Sequence, residues 1–338
     1  MSDFAIKHGD QAPIGKQMVA ELLDIAALSP SSHNTQPWTV RINDTDSFTI
    51  GYDVQRQLMV GDPHKRELFM SLGCFIQSII LAADDAGYGA QYTFINATDN
   101  TQVAHISLNI QDSPLTNGQP WQKLIQSRRS DRRPYSSQIL DPEAIKKLTG
   151  LQQGHTRLQL YTAAADIAFL AQVTKVATQK IMSQQDFRDE LAHWVRNNWT
   201  KQSDGMPGYT QGMPGPISLL AKIVIKNSKS VAADQAKKDA LRVTKSAAVG
   251  LLCLPSGNKP TDWIDAGMLY QRLCLEAQLL GISTSAVSAA VIDDSTTSEI
   301  TQHFTLHDQP VALMRFGYAL DKSTPKSAPK RTSQQIII

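Results

Sequence analysis

Gly73-Cys-Phe-Ile-Gln77-Ser-Ile-Ile-Leu81-Ala-Ala83-Asp-Asp-Ala-Gly87 returns later in the chain as Gly267-Met-Leu-Tyr-Gln271-Arg-Leu-Cys-Leu275-Glu-Ala277-Gln-Leu-Leu-Gly281, with five identical positions all 194 residues apart. Apolar side chains at Leu72, Ile76, Ile79, Ile80 and Ala83, and at Leu269, Leu273, Leu275 and Leu280, recur at helical period. A glycine suited to a helix C-terminus closes each run. Both copies predict long, buried helices, and a repeat of this kind points to a duplicated architecture.

Working outward, each helix is followed by an apolar strand candidate, Val103 to Leu108 and Val311 to Phe316. Each is preceded by an amphipathic helix candidate, Ile14 to Leu28 and Ile139 to Leu151. The polar, turn-rich stretch Gln111 to Gln119 is the natural seam, which divides the chain into halves at 1–115 and 116–338. On this alignment the second half carries about 69 extra residues, most of them expected between 181 and 246. There Asp204-Gly-Met-Pro-Gly-Tyr-Thr-Gln-Gly-Met-Pro-Gly215 predicts a loop too broken for a packed element, either a lid over a site or a surface excursion.

Composition excludes several function classes. The 338 residues carry 33 basic and 31 acidic side chains, a balance that argues against a protein held mainly by nucleic-acid phosphates. A 41% hydrophobic and 19% charged content suits a folded core rather than disorder. Cys74, Cys253 and Cys274 are widely spaced with no CxxC pair, so neither a disulfide framework nor a zinc cluster is expected, and a reducing cytoplasm fits best. Asp3, Lys7 and Asp10 interrupt the hydrophobic region that a signal peptide needs. The longest membrane-like stretch, Ile217 to Ile225, contains Lys222 and falls short of the ~20 residues of a spanning helix.

Two runs carry chemistry. Ser29-Pro30-Ser31-Ser32-His33-Asn34-Thr35-Gln36-Pro37-Trp38 lies between a helix and the strand candidate Thr39 to Ile42. Its hydroxyls and amides suit either a rigid loop presenting hydrogen bonds to a planar polar ligand or an ordinary helix stop and turn. Ser127-Arg128-Arg129-Ser130-Asp131-Arg132-Arg133-Pro134-Tyr135 gathers four guanidiniums around Ser130. An extended segment would project Arg128, Ser130 and Arg132 to one side, a geometry suited to phosphate. A solvated arginine patch and a short nucleic-acid-binding tract are the rival readings.

Other patterns fail on their chemistry. His303-Phe-Thr-Leu-His307 lacks the glutamate of a zinc-protease motif, so no metal is expected. Gly9 to Gln17 imitates a phosphate-binding loop with one residue too many and no hydroxyl after Lys16. Ser323-Thr-Pro-Lys326 stands without any further hydrolase signature.

Together the two runs resemble the flavin-binding nitroreductase superfamily. Pro30-Ser-Ser-His-Asn34-Thr-Gln36-Pro37-Trp38 is similar to its Pro-Ser-Ser-x-Asn-x-Gln-Pro-Trp signature, and Arg128-x-Ser130-x-Arg132 to its Arg-x-Ser-x-Arg/Lys motif. The repeated Gly-x3-Gln-x3-Leu-x-Ala-x3-Gly helices resemble its central core helix, and Lys330-Arg331 resembles the basic pair near its C-terminus. The resemblance implies an α+β fold with mainly antiparallel sheets flanked by helices. Ordinary members are homodimers that share flavin sites, whereas here each motif occurs once. This implies a single-chain pseudo-dimer with one composite FMN site, similar to the Acg-like branch, either monomeric or further associated.

Carried over on these positions, Arg128, Ser130, Lys330 and Arg331 would meet the FMN phosphate and ribityl chain. Arg132 would lie at the pyrimidine edge, where a cation stabilises the reduced, anionic ring. Pro30, Ser31, Ser32, Asn34 and Gln36 belong to the signature loop, which would line the isoalloxazine from the other half. Main-chain groups near Ser288 and Ala289 would meet flavin N5, although the Glu-Gly of the family is missing there. No side chain is assigned as catalytic, because the flavin carries the chemistry. Trp38, Cys74 and Cys274 are expected to be packing residues. Three functions follow in order: an FMN-dependent oxidoreductase passing electrons from NAD(P)H to a nitroaromatic, quinone or similar small-molecule acceptor; an FMN-sequestering protein closed by 181–246; and an arginine-tract nucleic-acid module.

Overall fold

The computed structural model describes residues 14–95, 101–110, 118–228, 230–255 and 259–338. Most of the seam Gln111 to Gln119 and the start of Gly9 to Gln17 lie outside them. The first part of the chain runs α1 (Lys16–Ala26), β1 (Trp38–Ile42), β2 (Ser47–Tyr52), α2 (Arg66–Asp85), β3 (Tyr88–Phe94) and β4 (Gln102–Ile110). Its four strands form an antiparallel sheet in the order β1-β2-β4-β3. Trp38 is fully buried and stacks on Phe75 of α2, with ring centroids 4.8 Å apart. Cys74 and Cys274 are likewise buried free thiols, and burial pushes both thiols up, so they pack rather than react.

The second part contains α3 (Trp121–Ser127), α4 (Pro142–Thr149), β5 (Gln152–Gln153), β6 (Thr156–Tyr161), α5 (Ala164–Ser183), α6 (Gln185–Trp194), β7 (Val195–Arg196), β8 (Met206–Pro207), α7 (Gly215–Asn227) and α8 (Ser230–Thr244). It continues through β9 (Ala248–Leu254), α9 (Pro260–Leu279), β10 (Ser283–Ala286), α10 (Ala289–Ile292), α11 (Asp294–His303), β11 (Gln309–Gly317) and α12 (Ser333–Ile336). The second antiparallel sheet has the order β10-β11-β9-β6-β5. Read from β6, the order β6-β9-β11-β10 repeats the order of the first sheet, element for element.

Sequence explains the burial of β9. Ala248-Val-Gly-Leu-Leu-Cys-Leu254 is an unbroken apolar run because both of its faces are covered. Ala248, Leu252 and Leu254 join the cluster built on α9, whereas Val249, Leu251 and Cys253 join the one built on α5. The predicted helix Ile139 to Leu151 begins only at Pro142. Asp141 caps it by accepting from the Glu143 N–H at 2.8 Å, and proline occupies the first turn.

The two repeat helices cross at their glycines. A Cβ on Gly73 would lie 2.0 Å from the carbonyl oxygen of Ile264, and one on Gly267 would lie 2.0 Å from that of Met70. The two contacts are equivalent under the 194-residue repeat, so the helices approach backbone to backbone about a pseudo-two-fold axis. Each helix stops just before a glycine in the left-handed region, Gly87 and Gly281.

Residues 162–247, between β6 and β9, stand where the first sheet has only the short turn 43–46. The extra segment therefore begins with α5, earlier than position 181. The stretch Asp204 to Gly215 is also packed rather than broken: β8 pairs in parallel with β7, and Gly205, Pro207 and Gly208 are buried. Asp204 anchors it between Arg56 at 2.9 Å and Arg196 at 2.8 Å. One described helix, α2, is long and apolar enough to span a membrane by length and composition, in place of Ile217 to Ile225. It is mostly buried inside the protein.

Candidate active site

The loop after α1 is held in an unusual backbone. His33, Asn34 and Gln36 have φ of 51°, 54° and 50°, a left-handed region that side chains rarely adopt and that clusters at functional sites. Hydrogen bonds from three directions over-determine it. Within the loop, Ser31 Oγ accepts from the Gln36 N–H at 3.0 Å. From the inserted segment, the Gly205 carbonyl accepts from Asn34 Nδ2 at 2.9 Å and the Ser203 carbonyl accepts from Gln36 Nε2 at 2.8 Å. From the chain's end, the Pro329 carbonyl accepts from Asn34 Nδ2 at 2.9 Å, and the Arg331 N–H donates to Gln36 Oε1 at 2.8 Å.

The arginine run leaves α3 in an extended conformation and joins the second sheet. Ser130 bridges in parallel to Thr284, and the Asp131 N–H donates to the Thr284 carbonyl at 2.9 Å. Asp131 takes Arg133 at 2.8 Å, which fixes the turn, and the whole run from Arg128 to Arg133 lies on the cavity wall. This anchoring joins residues more than 150 positions apart.

Two adjoining cavities, of about 1250 and 650 Å³, lie where the loop, the arginine run and the inserted segment meet. Pro30, Ser31, Ser130 and Arg132 line both. Asn34, Arg128 and Lys330 line the larger, and Ser32, Ser288 and Ala289 line the smaller. Gln36 and Arg331 line neither. Gln36 is fully buried, and the Arg331 guanidinium is taken up by the carbonyls of Gln36 at 2.9 Å, Trp38 at 3.1 Å and Gln335. The two act by pinning the chain's tail to the loop.

Positive charge dominates the inner end of the larger cavity. Lys330 donates to the Ser29 carbonyl at 2.5 Å, and Arg128 Nη2 approaches the Leu28 carbonyl at 3.5 Å. Burial, then Arg128 and Arg129, depress the Lys330 ammonium well below its ordinary value. Burial and Arg128 likewise lower Arg129. Among the described residues none of the three has a carboxylate at ion-pair distance, and Arg128 Nε and Arg129 Nε are buried with no hydrogen-bond partner. Cations crowded in this way without a counter-charge are arranged to receive an anion.

Sequence motifs pass over several residues of the site. The Ser32 hydroxyl donates to the carboxylate of Glu67, which lines the smaller cavity. His33 packs edge-on against Phe187, and burial together with Arg132 pulls its imidazole down to about 4, so it is neutral at pH 7. Arg242 on α8 lines both cavities. Glu67 and Arg242 stand in no pattern of their own and His33 fills an unspecified place in the loop; α2 brings Glu67 to Ser32, and the inserted helices α6 and α8 bring Phe187 and Arg242. His303, by contrast, stacks on Phe169 with centroids 3.6 Å apart.

The model of the nitroreductase family matches residues 125–318, more than half of the chain. The chain belongs to the nitroreductase family. Along its length this nitroreductase is 26% identical to the Probable NAD(P)H nitroreductase PigM of Serratia sp. (strain ATCC 39006), a match covering 95% of this chain and 93% of PigM. It is 25% identical to Rv3131 of Mycobacterium tuberculosis, also named for NAD(P)H nitroreductase, over 95% of this chain and 91% of that one. Among solved structures, the FMN-dependent nitroreductase NfnB from Mycobacterium smegmatis in complex with NADPH is similar at 15% identity and a TM-score of 0.41, covering 62% of this chain and 92% of that one. Family membership makes the protein an oxidoreductase with small-molecule substrates.

Proposed function

We propose that this nitroreductase is an FMN-dependent NAD(P)H oxidoreductase, built as a single-chain pseudo-dimer with one composite site. One observation carries the proposal: Arg128, Ser130 and Lys330 from the second half of the chain and Pro30, Ser31 and Asn34 from the first line a single cavity. Among the described residues Arg128 and Lys330 have no carboxylate at ion-pair distance, and the orphaned Nε of Arg128 fits a phosphate monoester. The matched order of the two sheets supports the duplication, with halves at 1–115 and 116–338.

When bound, the flavin supplies hydride transfer through N5 and so links the nicotinamide donor to the acceptor. The protein's part is to bind and orient. Arg128, Arg129 and Lys330 hold the phosphate, with the Ser130 hydroxyl as a further donor. Arg132 has no carboxylate partner among the described residues, so its charge is free to stabilise negative charge on the ring. Pro30, Ser31 and Ser32 form one wall, and Ser288 and Ala289 approach from the second sheet. Arg331 and Gln36 hold the tail and loop in place. Three buried free thiols suit a reducing cytoplasm.

The docking of 203–209 onto the loop and tail favours a second reading, in which the same flavin is bound but turned over slowly. An absorbance spectrum of the purified protein, before and after anaerobic NADPH or NADH, separates the two. Rapid bleaching of a flavin band establishes the oxidoreductase. A band that resists both donors establishes sequestration, and failure to retain or rebind FMN refutes both.

A further inference from the structure

The larger cavity holds more positive charge than one flavin phosphate can use. Nine basic side chains line it against a single carboxylate, Asp131. Arg133 is taken by Asp131 and Asp321, and Arg242 by Asp239 at 3.0 Å. Among the described residues the other seven have no carboxylate at ion-pair distance.

The cations fall into two groups. Arg128, Arg129 and Lys330 crowd one another at the inner end, where the proposed function puts the flavin phosphate. The other group gathers around α8. Lys238 and Arg242 stand one turn apart on it, Lys245 follows its last residue, and Lys326 of the C-terminal segment lines the same space. Arg132 lines the same space, and burial first and then Arg242 lower its guanidinium.

Lys238, Lys245 and Lys326 are exposed, so they stand at the cavity's mouth. A dinucleotide donor has to bring its nicotinamide inward to the flavin, which leaves its adenosine end at the mouth. The pyrophosphate is common to NADH and NADPH. Only the 2′-phosphate of NADPH adds a further charge of about −1.5 to −2 at the adenosine end. At about 1250 Å³ the cavity also exceeds the roughly 300–1,000 Å³ of an ordinary small-molecule site, leaving room for a second ligand beside the flavin.

We propose that Lys238, Lys245 and Lys326 form a subsite for the ribose 2′-phosphate of an adenine dinucleotide, and that this nitroreductase selects NADPH over NADH. The proposal rests on the flavin reading for its orientation, but its test does not need turnover. Calorimetric titration of the full-length protein, with and without added FMN, compares 2′,5′-ADP with 5′-AMP. We expect 2′,5′-ADP to bind about tenfold more tightly. The double variant Lys238→Gln/Lys245→Gln should lose about that factor for 2′,5′-ADP while 5′-AMP changes less than about twofold, and Lys326→Gln should show a smaller loss of the same kind. In turnover the NADPH to NADH ratio of kcat/KM should fall in parallel, with the NADH value unchanged. Equal binding of the two nucleotides overturns the subsite, as does an equal loss for both in the double variant, which would mark a general electrostatic field. Failure to retain FMN refutes the proposed function and leaves the nucleotide comparison readable.

Discussion

Asn34 and Gly205 hydrogen-bond to each other in both directions: Asn34 Nδ2 donates to the Gly205 carbonyl at 2.9 Å, and the Gly205 N–H donates to the Asn34 carbonyl at 3.1 Å. Both residues have positive φ, 54° and 74°, and a Cβ on Gly205 would meet the Trp194 carbonyl at 2.5 Å. The pair ties the signature loop to the inserted segment, and Asp204 backs it with its two arginines.

The segment 203–211 should therefore come loose before the rest of the protein. Burial works against the Asp204 charge, but Arg196 and Arg56 outweigh it and hold the carboxyl below its ordinary value. A depressed carboxyl contributes stability above its unfolded value near 4 and loses it as pH falls through the folded value. Asp204→Asn is expected to raise hydrogen exchange over 203–211 by roughly tenfold at pH 7, with little change in the exchange of β9. Uniform exchange across both regions would show that the segment is no separate unit.

The crossing of α2 and α9 should tolerate no side chain. Gly267→Ala gains about 1 kcal/mol of helix propensity but forces a methyl into the Met70 backbone, and overpacking typically costs 1–3 kcal/mol even where side chains can move. Here backbone meets backbone, so we expect a net loss of at least about 2 kcal/mol in urea unfolding. Gly73→Ala should behave alike, because its contact is the symmetry mate. A neutral effect at either position would mean that the helices can separate freely.

Lys330→Met should weaken FMN binding about 10- to 100-fold, the loss of one charge-assisted hydrogen bond to phosphate. Arg128→Met should do the same. Fluorescence titration of the flavin-stripped protein with FMN reads both, and unchanged affinity in both variants would remove the phosphate assignment.

Asp62 predicts a pH effect. Its carboxylate is buried, accepts from the Leu68 N–H at 2.8 Å, and is raised by burial and then by Glu67 to about 7. A raised carboxyl contributes stability that is complete below its unfolded value near 4 and is lost as pH rises through 7. Asp62→Asn keeps the acceptor oxygen without the charge. It should match the natural protein at pH 4 and exceed it by on the order of 2 kcal/mol at pH 8, as urea unfolding at the two pH values would show. A gap that does not widen with pH would place the Asp62 carboxyl near its ordinary value.

The chemistry-bearing residues were legible because their signals are local. The repeat from Gly73 and from Gly267 shows in periodicity and spacing, whereas the loop at Pro30 to Trp38 and the Arg128-x-Ser130-x-Arg132 run, each within about ten positions, were open on their residues alone and stood out through the family resemblance. The boundaries of α4 could be refined from Asp141 and Pro142 by the same local rules. The reach of the extra segment was not legible, since α5 is amphipathic like any other helix, and only the strand order shows that it lies between β6 and β9.

Sequence by itself determined the two core helices, the flanking strands, and the loop and arginine run whose side chains line the cavities. Tertiary structure alone decided that Arg128 and Lys330, 202 positions apart, share one cavity end, that Arg331 and Gln36 turn away from it to pin the tail, and that the 204–215 stretch packs against Asn34. The reason is physical. Helix and strand preferences are set by neighbours a few bonds away, whereas a cluster of like charges, or a guanidinium satisfied by three carbonyls, exists only after the core has brought distant backbone together.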